Sequence, residues 1–220
     1  CQTINQKYPS TTSLLSEGML IIDEANIWEA KHCWLDLSIP FSNITTLPEY
    51  GSRLQLAQRS YGHALGPLSV FVLAGCEVAS SGFYHLRSFF EHFLIAKQLN
   101  DDAHDWQEDL LRGQLNAVNT HLLRIMQNVM CANTHYSWDE VSSSINKLFW
   151  EKELLTVCAW IDTHLKSARW HLTQTVFLAK PLHLETLLAP IEKATQTVKT
   201  QHTQVLSFVK SYKQEKFISV

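Results

Sequence analysis

The chain has 220 residues, 45% of them hydrophobic and 18% charged, with a formal net charge of −3. That is long enough to bury a sizeable core without disulfides or metals, and too apolar for a disordered chain. The mild acidity argues against a dedicated nucleic-acid binder, which carries a basic surface.

Seven glycines and six prolines are few for this length, and no Asn-Gly or Asp-Gly hairpin signal or sustained alternation occurs, so the class is all-α, as one domain over residues 1–220. A first helix is predicted over Thr12–Asp36, with Leu15, Leu20, Ile21, Ile27 and Trp28 on its apolar side. Residues Leu37–Pro48 read as a loop. A second helix over Glu49–Glu77 should kink at Gly66-Pro67, and Ser80-Ser81-Gly82 breaks the chain. The third helix, Phe83–Leu111, should end at Arg112-Gly113, with glycine in the left-handed cap. A fourth covers Asn116–Cys131. Ser137-Trp138-Asp139-Glu140 is a capping box that starts a fifth. A sixth carries the seam Leu154, Cys158, Ile161, Leu165, Ala168 and Leu172, and Pro181 stops it. The last runs over Leu184–Tyr212, with Leu184, Leu187, Ile191, Ala194, Val198, Val205 and Phe208 on one side.

No apolar run approaches the roughly 18 residues that cross a bilayer, and Cys1-Gln2-Thr3-Ile4-Asn5 has no basic-then-apolar pattern of a signal peptide. The five cysteines include no CxxC pair and read as buried thiols of a reducing compartment, so a cytoplasmic location is expected.

The chemistry concentrates in the third helix. Asp101, Asp102 and Asp105 form D-D-x-x-D. At about 100° per residue, Asp105 lies roughly 40° from Asp101 and Glu108 roughly 20° on its other side. Asp101, Asp105 and Glu108 therefore make a carboxylate stripe, with Asp102 and Asp109 at its edge and Arg112 near it. Like charges four apart destabilise a helix by roughly 0.2–0.5 kcal/mol per pair. Solvent offsets that on an exposed face, and a divalent cation offsets it in a cleft. Mg²⁺, or Mn²⁺, takes a few carboxylates together with waters and phosphate oxygens. Further back toward the N-terminus on the same face stand Leu94 and Phe90, so a pocket here would suit a charged head and a greasy tail. The alternative is that both belong to the core.

The offsets around Asp105 resemble the second aspartate-rich motif of isoprenoid synthases. Polyprenyl synthases carry F-Q-[IL]-x-D-D-x-x-D, and squalene and phytoene synthases carry Q-L-x-N-x-x-x-D-x-x-E-D-x-x-R-G. Shared here are Gln98-Leu99, Asp101-Asp102, Asp105, Glu108-Asp109 and Arg112-Gly113. The stretch Ala57–Gly66 resembles the helix that packs small residues beside the cavity in those enzymes. The resemblance spans about residues 55–120 and implies a helical bundle of the terpenoid-synthase type around a central cavity, acting as a Mg²⁺-dependent prenyl diphosphate transferase or synthase. It implies Asp101 and Asp105 as catalytic metal ligands, with Asp102, Glu108 and Asp109 beside them. Gln98 would hold a diphosphate-bound water, Arg112 would contact the diphosphate, and Phe90 and Leu94 the hydrocarbon tail. The metals would stabilise diphosphate as a leaving group. A prenyl diphosphate is then the expected partner; a homodimer and peripheral membrane contact are compatible with it. The family's first aspartate-rich motif would fall before Cys1, so the chain is expected to be the C-terminal part of a longer synthase or a relative that lost that motif. His104 and Trp106 depart from the pattern.

Two other readings stay open. Glu29-x-x-His32 and Asp101-x-x-His104 are pairs of the kind found in di-iron carboxylate bundles, which also need a lone glutamate on each of two further helices. A helical binding domain without chemistry is the third. The remaining histidines, His63, His85, His92, His121, His164 and His171, show no ligand spacing and read as surface or satisfied core residues.

Overall fold

The structure is a computed structural model that describes residues 9–129, 136–175, 178 and 182–218. Among these residues the chain is all-helical, and one isolated bridge, Trp34 with Gln114, is its nearest approach to a strand pair. The helices are α1 (Pro9–His32), α2 (Leu54–Arg59), α3 (Gly62–Leu73), α4 (Ser81–Leu111), α5 (Ala117–Val129), α6 (Trp138–Leu148), α7 (Leu154–Thr173), α8 (Leu182–Glu185) and α9 (Ala189–Ile218). A 3₁₀ turn covers Phe41–Asn43, and a π turn, Phe149–Glu153, joins α6 to α7. No helix of the described residues is long and apolar enough to cross a membrane.

The long α4 is the axis of the fold. It packs most extensively on α7 and also touches α2, α3, α5 and α9. Its N-cap Ser80 accepts a hydrogen bond from the Phe83 amide at 3.2 Å. Its buried side contains Phe83, Leu86, Phe89, Phe90, Leu94, Leu99, Trp106 and Leu110. The partner α7 buries the whole expected seam, from Leu154 to Leu172. The capping box forms: the Ser137 hydroxyl accepts from the Glu140 amide, and the Glu140 carboxylate accepts from the Ser137 amide at 2.9 Å.

Several expected boundaries and faces move, each for a physical reason. The first helix ends at His32 rather than Asp36. The chain beyond it runs beside the α4–α5 corner, where the Leu35 amide donates to Gly113 O at 2.7 Å and the Leu115 amide to Cys33 O at 2.8 Å. The apolar side of α1 is also different. Leu14, Gly18 and Ala25 face inward with Ile21, Ile22 and Trp28 partly buried, whereas Leu15, Leu20 and Ile27 are exposed. Small residues let helices approach closely: a Cβ on Gly18 would stand 2.2 Å from a Leu65 methyl on α3.

The second helix does not kink at Gly66-Pro67. It breaks at Ser60-Tyr61, which sinks the Tyr61 ring to 2% exposure, and Pro67 is carried inside α3. The last helix is also two. Pro190 cannot donate to a preceding carbonyl, so the helix restarts at Ala189 and places Pro190 in its first turn. Leu188, in the turn before α9, and Ile191, Thr195 and His202 on α9 face the core, with Val198 partly buried; Val205 and Phe208 are exposed. The fourth helix is described as far as Val129, so Cys131 lies outside the described residues, as do Cys1 and Pro181. Of the other thiols, Cys33 and Cys158 are buried and Cys76 is half-buried, 3.4 Å from the Ser80 hydroxyl just after α3.

Gly113 adopts the expected left-handed conformation, φ 76°, and a Cβ there would stand 2.5 Å from Leu35 O. Gly113→Ala is therefore expected to lower stability by about 1–3 kcal/mol, read as a fall in the urea midpoint. An unchanged midpoint would contradict this account of the corner.

Candidate functional site

The aspartate motif divides into an inward and an outward half. The inward half builds the α4–α5 corner. The Asp102 carboxylate, 4% exposed, accepts from Gln98 Nε2 at 2.8 Å and from the Ala117 amide at 3.0 Å. It thus satisfies a free N–H at the start of α5, where the helix dipole also favours negative charge. Asn116 Oδ1 accepts from the Val118 and Asn119 amides, and the Asn119 side chain bridges the Asn116 amide to Gln114 O. Asp109 accepts from Asn116 Nδ2 at 2.8 Å. Burial pushes the Asp102 carboxyl up to about 6, against the opposing pull of its two hydrogen bonds and of Arg59.

The outward half faces solvent. Asp101 is 44% exposed and pairs with Lys97 at 3.2 Å. Glu108 pairs with Arg112, both well exposed. Asp105 is exposed and has no hydrogen-bond or ion-pair partner among the described residues. Each of these pairs spans four residues on an exposed helix face, where such a pair contributes only tenths of a kcal/mol.

Several expected placements are therefore corrected. Asp101 and Asp105 do not line the cavity beside Trp106 and Phe149, the one beside Tyr50 and Arg53, or the one beside Trp28 and Arg59. Phe90 and Leu94 do not line a channel. They are 3% and 1% exposed within the packed core, with the Phe90 ring edge-on to Phe89. Gln98 is engaged by Asp102 and Arg112 by Glu108. Asp102 and Asp109 serve the corner. The di-iron constellation does not assemble: Glu29 is bound by Arg59, His32 by Trp28 O and His104 by Asn100 O. No group of three or more His, Cys, Asp or Glu among the described residues is arranged to hold a metal ion.

A cavity of about 360 Å³ lies between α4, the π turn, α7 and α9. Trp106, Phe149, Leu154, Val157, Ile161 and Val198 give it apolar walls, and His104 is among the α4 residues at its edge. His104 stands about 40° around the helix from Glu108 and about 60° from Asp101, so the cavity occupies the face next to the acidic stripe. Sequence reasoning missed it, because its walls come from segments far apart in the chain.

It also missed two histidine pairs between α4 and α7. The available signal was an equal spacing of seven residues, His85 to His92 and His164 to His171. That places each pair on one helix face two turns apart, a pattern with meaning only once α4 and α7 are known to run antiparallel side by side. No family model, curated protein or solved structure matches the chain.

Asp102 yields two expectations. Asp102→Ala leaves the Ala117 amide and the Gln98 side chain without their acceptor, and should cost about 1–3 kcal/mol. Asp102→Asn keeps an acceptor, and Gln98 can turn its amide to match. Because the folded carboxyl titrates near 6 rather than 3.8, the folded state holds more protons than the unfolded one within that window. The stability of the wild type relative to Asp102→Asn should therefore fall as pH rises from about 4 to 6 and then level off. Urea titrations at several pH values check this, and a difference independent of pH would refute it.

Proposed function

We propose that this chain carries the second carboxylate face of a Mg²⁺-dependent prenyl diphosphate site of the squalene/phytoene synthase type. The supporting observation is the division of labour within the motif. Its inward residues, Asp102, Asp109 and Gly113, have complete structural explanations. Its outward carboxylates, Asp101, Asp105 and Glu108, have only exposed i,i+4 partners or none. A carboxylate stripe over two turns of a rigid helix, with a free aspartate at its centre, suits hard cations that keep part of their water and take up phosphate oxygens. Mn²⁺ can replace Mg²⁺ there. Lys97 and Arg112 at the two ends of the stripe can turn from their carboxylates to diphosphate oxygens once metals occupy the acids. On this reading the hydrocarbon tail goes to the cavity beside His104, Trp106 and Phe149, since Phe90 and Leu94 are committed to the core. A complete site needs a second set of metal ligands beyond the described residues.

A second reading is favoured by one observation: the stripe faces solvent rather than a cleft. The acids are then a solvated face, and the chain is a helical binding domain whose cavity takes an apolar ligand without metal.

Calorimetric titration with a non-hydrolysable prenyl diphosphate separates the two. The first reading requires binding that strengthens with Mg²⁺ and weakens by about tenfold or more in Asp105→Asn, a loss of at least about 1.4 kcal/mol. The melting temperature of that variant should hold or rise, because a like charge has been removed. Binding of the tail alone, indifferent to Mg²⁺ and to Asp105, would leave the second reading. No binding in either condition would end the first.

A further inference from the structure

Four histidines form a ladder between α4 and α7, away from the acidic stripe. The antiparallel helices bring His85 to His171 and His92 to His164, with Nδ1 atoms 3.0 and 2.9 Å apart. The inner rings, His92 and His171, stack with centroids 5.5 Å apart. Tyr84 and Trp170 flank the His85–His171 pair: Trp170 lies 5.5 Å from the His85 ring and 4.7 Å from that of His171. His171 is buried, and the other three are half-buried and reachable from solvent.

The nitrogen separations have a second meaning besides a hydrogen bond. Two imidazoles bound to one ion at about 2.0–2.1 Å have nitrogens about 2.9 Å apart at a right angle and about 3.3 Å apart in a tetrahedron. Both pairs match the right-angled value, the geometry of square-planar or tetragonal copper(II) and nickel(II) sites. Burial also favours the neutral, metal-binding form of three of the rings, His92, His164 and His171. Desolvation, reinforced by His92 and Arg53 beside His164 and by His92 and His85 beside His171, pushes His164 and His171 down to about 4, and desolvation lowers His92 against the pull of Glu91. Neutral imidazoles keep a free lone pair at neutral pH. On metal binding the shared Nδ1 proton of each pair moves to the donor ring's free Nε2, so both rings stay neutral with one N–H each and both Nδ1 lone pairs are free for the ion.

We propose that His85 with His171, and His92 with His164, each bind one copper(II)-class ion through two cis Nδ1 atoms, clamping α4 to α7. Water or an external ligand fills the remaining positions, since each site has two protein ligands. Copper should bind most tightly, followed by nickel, as expected for imidazole sites among divalent ions. Mg²⁺ should not compete, because it prefers oxygen ligands.

The test is a copper(II) titration of the chelator-treated chain, followed by electron paramagnetic resonance and thermal denaturation. Expected are nitrogen hyperfine coupling, a raised melting temperature, quenching of Trp170 fluorescence, and a second ion about 10 Å from the first, the rise of two helical turns. In the double variant His164→Gln/His171→Gln, checked for helicity by circular dichroism, copper affinity should fall by about tenfold or more. The same loss is expected from His85→Gln/His92→Gln on the facing helix. Wild-type copper without nitrogen coupling or without a neighbour near that distance would overturn the proposal, whether or not the variants fold. A folded double variant that binds copper like the wild type would do so as well.

Discussion

The buried Asp102 carboxylate sets the orientation of the longest helix. Once it accepts from the Ala117 amide at the start of α5 and from Gln98 within α4, the rotation of α4 about its axis is settled. Leu99, Trp106 and Leu110 turn inward, and Asp101, Asp105 and Glu108 turn outward. A carboxylate at 4% exposure persists only because it is hydrogen-bonded at a helix N-terminus, and losing either donor would leave a buried polar group unsatisfied. Gly113 completes the corner by letting the chain pass against Leu35 O, where no Cβ fits.

The same constraint explains how a short acidic motif can hold two kinds of residue. Adjacent positions on a helix point about 100° apart, so Asp101 and Asp102 cannot share a role. One reaches the neighbouring helix and the other reaches solvent. The exposed stripe is then a by-product of the corner or a second use of the same helix. The proposed diphosphate site takes the latter view, and on that view the rigid corner keeps the metal-binding side chains on an element that does not move, which lowers the entropic cost of assembling the site.

Helical periodicity and cap chemistry were legible because they are local. The seam from Leu154 to Leu172, the Ser137–Glu140 capping box and the left-handed Gly113 all depend on residues within a few turns. The face of α1 was misjudged because its largest side chains lie on one stripe while its tightest packing uses Gly18 and Ala25 on another, and only the partner Leu65 reveals which stripe is inside. The break at Tyr61 and the restart at Ala189 arise from burying a ring and from seating Pro190, choices between local alternatives that tertiary packing decides. At the candidate site, the acidic stripe could be read from spacing alone. The inward role of Asp102 could not, because its partner Ala117 belongs to another helix. Phe90 and Leu94 share a face with the acidic stripe by spacing, yet they pack in the core while the stripe faces solvent, a divergence that only the neighbouring helices decide. The histidine ladder needed the antiparallel register of two helices, which no single-helix spacing contains.

The central claim is that Asp101 and Asp105 form a metal-binding face while Asp102 is structural. Paramagnetic broadening of backbone amide signals by Mn²⁺ in the presence of inorganic diphosphate tests it most directly, because the effect is short-ranged and needs no hydrocarbon tail. The account predicts that broadening starts at the amides around Asp101, Asp105 and Glu108, spares the far end of α4 near Phe83, and shrinks in Asp105→Asn while Asp102→Asn leaves it in place. Broadening that is absent, spread evenly over the surface acids, or abolished by Asp102→Asn and retained in Asp105→Asn would contradict it.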